Sequence, residues 1–175
     1  CSSDLEDLDT WWLESNFNPL YHYMVLRLMV NPKLDVSDEV QTFMEVYYGP
    51  AAKPMLALYD FLAKEQEQLP PKDKHHGNVS QIPYVTVPFY QRILADLDAA
   101  AAACSGPEDK AYLQRVRREI AHTYFMLLAN WETLEKQSGP LPFDRAKLVE
   151  SLKVAAADVM SGYSDKIRQI GRAHV

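Results

Sequence analysis

The sequence predicts an all-α protein, built as a bundle-like array of about six helices. Apolar residues recur at steps of three or four along most of the chain, which is the spacing of one helix face. Proline and glycine separate these stretches, as is typical of turns between helices. Only Tyr84–Val87 has even a weak strand pattern, so we expect no sheet.

Capping and stop signals predict the first two helices. Asn18 can cap the first helix with Pro19 at its first position, and Asn31-Pro32 ends it. Ser37 is expected to cap the second helix, which Gly49 ends. The buried stripe of the second helix is expected to be Val40, Phe43, Met44 and Tyr47.

Proline marks the ends of the next two helices. Pro50 opens the third helix, which stops where a proline-rich stretch, 70–87, begins. This stretch contains three of the eleven prolines, and we expect an exposed loop there. Pro88 begins the fourth helix, and it ends near Cys104.

The clearest helix in the chain follows Ser105 and Glu108, whose spacing is that of a capping box. Its stripe residues are Tyr112, Val116, Ile120, Tyr124, Leu127, Trp131 and Leu134. They predict one long helix, which 139–142 breaks. Asp144 is then expected to cap a sixth helix. Its inward residues would be Leu148, Leu152, Ala155 and Val159.

Charge and composition exclude several classes of function. The formal net charge is −6, whereas nucleic acids and anionic membranes attract concentrated positive surfaces, so we expect neither as a partner. No apolar run reaches the roughly 18 residues that a membrane span needs. The chain has two cysteines, and Cys104 is more typical of a small packed hydrophobic residue than of a reactive thiol.

The two ends of the chain are similar to translated sequencing adapter. Ile170–Ala173 can be encoded as ATC GGA AGA GCA, and the reverse complement of that DNA reads Cys-Ser-Ser-Asp, the sequence of Cys1–Asp4. We therefore expect residues 1–5 and 169–175 to be scars, and the natural segment to be cut from a longer reading frame.

Motifs of catalysis, metal binding and cofactor binding are not found in the sequence. There is no serine-nucleophile motif and no glycine-rich phosphate loop, so we expect no catalytic residue, no metal and no cofactor. His75 and His76 are predicted to be solvated in the loop. His22 and His122 are expected to be core or boundary residues within helices.

One short segment, Trp11–Asn16, is a candidate for carbohydrate binding. Adjacent aromatic rings can stack on a sugar, and the polar groups beside them can bind its hydroxyls. The candidate residues are Trp11, Trp12, Glu14 and Asn16. The alternative, which we favour, is that both tryptophans are buried against the first helix.

Two stretches carry a resemblance to a known family. Asn31–Val36 and then Phe43–Ala52, with Tyr59, resemble the C-terminal helical region of bacterial α-glucuronidase-like glycoside hydrolases, a family largely described as a domain of unknown function. Arg115-Val116 is also similar to the family pattern. Val30 departs from it, because the family often has tryptophan there. The resemblance covers about residues 18 to 130.

The resemblance implies a domain that follows a (β/α)-barrel rather than the barrel itself. Residues 6–17 would be the tail of the barrel, and 18–168 a helical C-terminal domain. Because barrel enzymes carry their catalytic groups on loops at the ends of strands, this part alone should be inactive. It would brace the barrel or a homodimer of a secreted or periplasmic enzyme acting on a polysaccharide or glucuronide-type substrate.

A free-standing helical protein-interaction module is the alternative. Such a module would have to bury its apolar helix faces without a barrel. The sequence leaves both functions open.

Overall fold

The computed structural model describes residues 16–69 and 85–155, together with Ala157. In these residues all regular secondary structure is helical, which confirms the predicted all-α class. The helices are α1 (Asn18–Val30), α2 (Val36–Tyr48), α3 (Ala52–Glu67), α4 (Val87–Ala103), α5 (Lys110–Ala129), α6 (Trp131–Ser138) and α7 (145–155). Short 3₁₀ turns, Gly49–Ala51 and Pro107–Asp109, precede α3 and α5.

Four helices form the body of the fold. α3 packs against α2 and α4, α4 packs against α5, and α2 also contacts α5, so the four helices close into a bundle. α1 packs on α2 at the edge of this bundle. One apolar core lies within the bundle, and a second, centred on Trp131, lies where α4, α5, α6 and α7 meet.

The corner between α2 and α3 is tight, as the sequence predicts from Gly49 at the end of one helix and Pro50 at the start of the next. Gly49 has a φ of 54°, which L-residues rarely adopt, and Pro50 follows it in the 3₁₀ turn. Ala51 is fully buried, and this turn contacts α4 and α5 as well as its own helices. A small side chain at Ala51 therefore allows the corner to lie inside the bundle.

Several helix boundaries differ from the prediction for identifiable reasons. The predicted long helix is divided at Asn130, whose side chain donates to the Met126 carbonyl oxygen (2.8 Å). Asp35, not Ser37, caps α2, because its carboxylate accepts the backbone N–H of Ser37 at 2.9 Å. The weak strand pattern at Tyr84–Val87 forms no strand in its described part, 85–87, since α4 already begins at Val87.

Two further capping predictions are also wrong. Ser105 makes no capping box: instead the carboxylate of Asp109 accepts the backbone N–H of Gly106 at 2.9 Å. Asn18 is the first residue of α1, and Phe17 occupies the capping position before it. Phe17 is the only described residue other than glycine with a positive φ.

An ion pair with a third partner joins α1 to α2. The guanidinium of Arg27 donates to both oxygens of Glu39, at 2.9 and 2.7 Å, and the hydroxyl of Tyr23 donates to one of them at 2.6 Å. The Arg27 hydrogen bonds, followed by the one from Tyr23, lower the pKa of Glu39 to about 2. A bidentate arginine is a stronger and more directional partner than a lysine would be.

We expect Glu39→Gln to reduce the loss of stability in acid. The pKa of Glu39 is lower in the folded state than its ordinary value of 4.5, so its contribution is present above pH 4.5 and is lost as the pH falls towards 2. Urea midpoints measured from pH 6 to pH 2 should fall less steeply for this variant than for the parent chain. Glu45→Gln, a change of an exposed carboxylate on the same helix, is the control and should follow the parent chain.

Candidate functional site

A buried carboxyl group joins α5 to the start of the helical domain. Glu119 is 4% exposed, and it lies inward because it follows Val116 by three residues and precedes Thr123 by four, on the buried face of α5. Its Oε2 accepts the backbone N–H of Phe17 at 3.1 Å, and its Oε1 accepts the hydroxyl of Tyr48 at 2.9 Å. The carboxyl group therefore connects residues that are far apart in sequence.

Phe17 fixes the point at which the chain joins the bundle. Its φ of 60° and ψ of 25° are left-handed, and its side chain is buried. The ring makes edge-to-face contacts with Tyr48 and Tyr59, with centroids 6.2 and 5.8 Å apart. We call the buried ring of Phe17, together with its N–H bond to Glu119, the Phe17 anchor.

Burial dominates the electrostatics of this carboxyl group. It raises the pKa of Glu119 to about 7, against the opposing effects of the Phe17 and Tyr48 hydrogen bonds and the nearby Arg118 guanidinium. Burial and the adjacent Glu119 also raise the pKa of the Tyr48 hydroxyl well above its usual range.

A pKa near neutrality suits a general acid or base, but this carboxyl group has no access to a substrate. A catalytic group must come within hydrogen-bond distance of the reacting atom. Both oxygens of Glu119 are occupied by Phe17 and Tyr48, and the side chain is buried. Its geometry is that of an internal link between segments.

Two arginines of α5 surround the ring of Tyr47 beside this carboxyl group. The Cζ of Arg115 lies 4.4 Å from the ring centroid, and Arg115 also donates to the Tyr47 carbonyl oxygen near the end of α2. The Nη1 of Arg118 lies 3.5 Å from the hydroxyl oxygen of Tyr47. Arg115 thus satisfies a carbonyl that the helix leaves without an internal partner.

The predicted carbohydrate-binding residues fall mainly outside the described part of the chain. Trp11, Trp12 and Glu14 lie there, as do the adapter-like ends 1–5 and 169–175. Asn16 is half-buried and directly precedes Phe17. The described residues therefore locate one end of the predicted segment, next to the Phe17 anchor, and leave the stacking platform a prediction.

The histidines differ from one another in position. His122 is buried within α5, as predicted, whereas His22 is exposed on α1, because that helix lies at the edge of the bundle. His75 and His76 lie outside the described residues. In the described ranges, no group of three histidine, cysteine or acidic side chains could hold a metal ion.

α1 exposes an apolar surface, which we call the α1 outer face. Its residues are between 39% and 86% exposed, and they are Tyr21, Val25, Leu26, Met29 and Val30. Arg27 is the only charged residue of α1, and Glu39 neutralises it. A helix that is apolar on all sides is typical of a buried helix, so this face resembles one that another surface covers.

A surface cleft of about 340 Å³ lies between α5 and α7. Its walls include Ile120 and Tyr124 on one side and Val154 on the other, with Arg117 and Glu150 among the polar groups. Asn16, the one described member of the predicted carbohydrate-binding set, does not line it.

Sequence reasoning missed Glu119 and the α1 outer face. Glu119 has the spacing of the α5 stripe, but stripes are counted on apolar residues and a carboxylate is assigned to the solvent side by default. The α1 outer face could have been found from the unbroken apolar composition of α1. Residues 18–30 contain a single charged side chain.

Comparison of the chain with protein-family models, with curated proteins and with solved structures gives no match. In the described part of the chain, no helix is long and apolar enough to cross a membrane.

Proposed function

We propose that this chain is a non-catalytic helical domain that packs against the preceding part of its own protein through the α1 outer face. The preceding part would be the (β/α)-barrel of an α-glucuronidase-like glycoside hydrolase, as the resemblance of Asn31–Val36 and Phe43–Ala52 implies. The domain would brace that barrel or its homodimer. The observation that carries the proposal is the exposed, uncharged α1 outer face.

The position of α1 favours the preceding segment as the partner. α1 begins directly after the Phe17 anchor, so whatever precedes residue 16 is held within a few residues of this helix. A covalent connection raises the effective concentration of the preceding segment at α1 far above that of a free partner. The neutral charge of the face fits an apolar partner surface and provides no attraction for a charged one.

The carbohydrate substrate would be bound by the barrel. Trp11, Trp12, Glu14 and Asn16 would lie at the boundary between the barrel and the helical domain, where they could contribute to a substrate rim. The chemistry would remain with the barrel, since Glu119 has no access to a substrate.

The upstream DNA gives the first test of this proposal. A reading frame that encodes a (β/α)-barrel before residue 6 is the expected result. An upstream frame that encodes no barrel, or a stop codon directly before the segment, would contradict it.

Two charges on the α1 outer face should separate the helical domain from the preceding domain without unfolding the helical domain. Leu26→Glu with Met29→Glu changes side chains that are 65% and 78% exposed, so we expect the unfolding free energy of the 175-residue chain to change by no more than about 0.5 kcal/mol per site. The extended protein is the longer chain that includes the preceding domain. There, the same two substitutions should split a single thermal transition into two. Calorimetry of both proteins measures this.

Val46→Glu is the matched control for this pair. Val46 is 72% exposed, but it lies on α2. It should leave the transition of the extended protein single. An extended protein that melts identically with and without the α1 charges would show that the α1 outer face does not contact the preceding domain.

The free-standing interaction module remains the second candidate, and the two apolar cores of the described residues favour it. Such a module should be monomeric, should unfold cooperatively and should resist protease as the 175-residue chain. A chain that aggregates, and that the two α1 charges make soluble, would instead favour the domain that packs against a preceding barrel.

A further inference from the structure

We propose that Glu119 couples proton binding to the Phe17 anchor, so that the junction between the preceding segment and the helical domain tightens as the pH falls and loosens as the pH rises. The coupling is a property of the 175-residue chain itself. It therefore does not rest on the function proposed above, and it would hold for any segment that precedes residue 16.

The geometry supplies a proton-dependent contact at the junction. A protonated Glu119 is neutral, which suits its buried site. Its Oε1 hydroxyl can donate a hydrogen bond to the Tyr48 oxygen while Oε2 still accepts the Phe17 N–H. An ionised Glu119 is a buried charge with two neutral donors. The Arg118 guanidinium offsets this cost only in part, since it lowers the pKa of Glu119 by less than burial raises it.

Phe17 is the part of this contact that can open most easily. Tyr48 is fully buried inside the bundle, so moving it would disturb the core. Phe17 lies before the first turn of α1, and its left-handed backbone is strained for a residue with a side chain. Release of Phe17 would let water reach the ionised carboxylate and would relieve that strain.

The titratable and charged groups that face Glu119 come from α2 and from α5 itself. From α2 these are Tyr47 and Tyr48, and burial raises the pKa of both hydroxyls away from neutrality. From α5 they are Arg118 and, one turn further along, His122. Tyr59 of α3 contacts the Phe17 ring rather than the carboxyl group.

The direction follows from linkage. Burial raises the pKa of Glu119 to about 7 in the folded protein, against an ordinary value of 4.5, and this outweighs the lowering of the pKa by the Phe17 hydrogen bond. Because opening of the anchor would admit water and so remove that burial, the closed anchor binds the proton more tightly than the open one. Closure is therefore favoured below pH 4.5 and is weakened as the pH rises through 7. The difference between the pKa values of about 7 and 4.5 sets an upper limit of roughly 300-fold on the change in the ratio of closed to open anchor.

Nuclear magnetic resonance of the labelled 175-residue chain can test the coupling. The side-chain carboxyl carbon of Glu119 should titrate with a midpoint near 7. Between pH 5 and pH 8, the protection factor of the Phe17 amide should fall by about one to two orders of magnitude. The amide of Leu97, in the core of α4, reports global unfolding and should keep its protection.

Glu119→Gln is the matched variant, because its side-chain oxygen can still accept the Phe17 N–H but cannot ionise. Its Phe17 protection factor should be independent of pH. The ring resonances of His122, followed in the same samples, report that group separately.

Three results would overturn the proposal: a Glu119 midpoint near 4.5, a Phe17 protection factor that stays constant while Glu119 titrates, or an unchanged pH dependence in the Gln variant. If the Gln variant does not fold, amide protection in the parent chain still tests the proposal. Equal losses of protection at Phe17 and Leu97 as the pH rises would reject a local opening.

Discussion

Trp131→Ala should lower the free energy of unfolding by about 3–5 kcal/mol. The indole is 7% exposed at the start of α6. It is the largest member of the second core, whose other buried residues are Val85, Tyr90, Leu127, Leu134 and Leu148. Removing it leaves a cavity that helices from four parts of the chain cannot readily fill.

Urea unfolding followed by circular dichroism measures this loss. Tryptophan fluorescence is less suitable, because Trp11 and Trp12 contribute to the same signal. Trp131→Phe keeps an aromatic ring in the core and should recover more than half of the loss. A cost below about 1 kcal/mol for the alanine variant would mean that the second core is not packed as described.

Arg145→Gln separates the cation–π contact from burial of the indole. The Cζ of Arg145 lies 5.6 Å from the Trp131 ring, and Arg145 itself is exposed. Exposed contacts of this kind contribute about 0.5–1 kcal/mol, so this variant should cost far less than Trp131→Ala.

Local patterns were sufficient to predict the helices. Apolar residues at helical spacing, with Pro50 and Pro88 at helix starts and Gly49 at a helix end, lead to the observed order of elements. These signals act over a few residues, so no information about tertiary contacts was needed. The short corner at Gly49 was predictable for the same reason.

The boundaries that differ depend on contacts between distant residues. Asn130 interrupts the predicted long helix, where its amide donates to Met126 and lies 3.4 Å from the hydroxyl of Tyr90 on α4. Nothing in the spacing of Leu127 and Trp131 indicates that break. The pattern of the stripe is the same whether the helix continues or bends.

The candidate site was harder to predict, because it depends on a charged residue inside the fold. Glu119 follows the spacing of the buried stripe, but its role depends on Phe17 and Tyr48, which are 102 and 71 residues away. A sequence pattern identifies the face on which a residue lies. It does not identify the donors that meet it there.

Gly49→Ala should lower the free energy of unfolding by about 2–6 kcal/mol. Strain from the positive φ contributes roughly 1–3 kcal/mol of that. A Cβ at this position would also lie 2.7 to 2.8 Å from atoms of the Tyr112 ring, and overpacking of this kind costs about 1–3 kcal/mol. Thermal and urea unfolding of the 175-residue chain measure the sum.

Gly139→Ala is the matched control for backbone strain. Gly139 also has a positive φ, 76°, but a Cβ there would meet no described atom within 4 Å. Its substitution should therefore show strain without a clash and cost less than Gly49→Ala. Equal costs at the two positions would mean that the Tyr112 ring moves aside without loss.

Tyr112→Ala in the Gly49→Ala background isolates the clash, because it removes the ring that the new Cβ would meet. The double variant should be more stable than the sum of the two single changes predicts, by at least about 1 kcal/mol. Strictly additive costs would show that the corner tolerates a side chain. Gly49 would then be required only for its backbone conformation, and not for the close approach of α5 to the turn between α2 and α3.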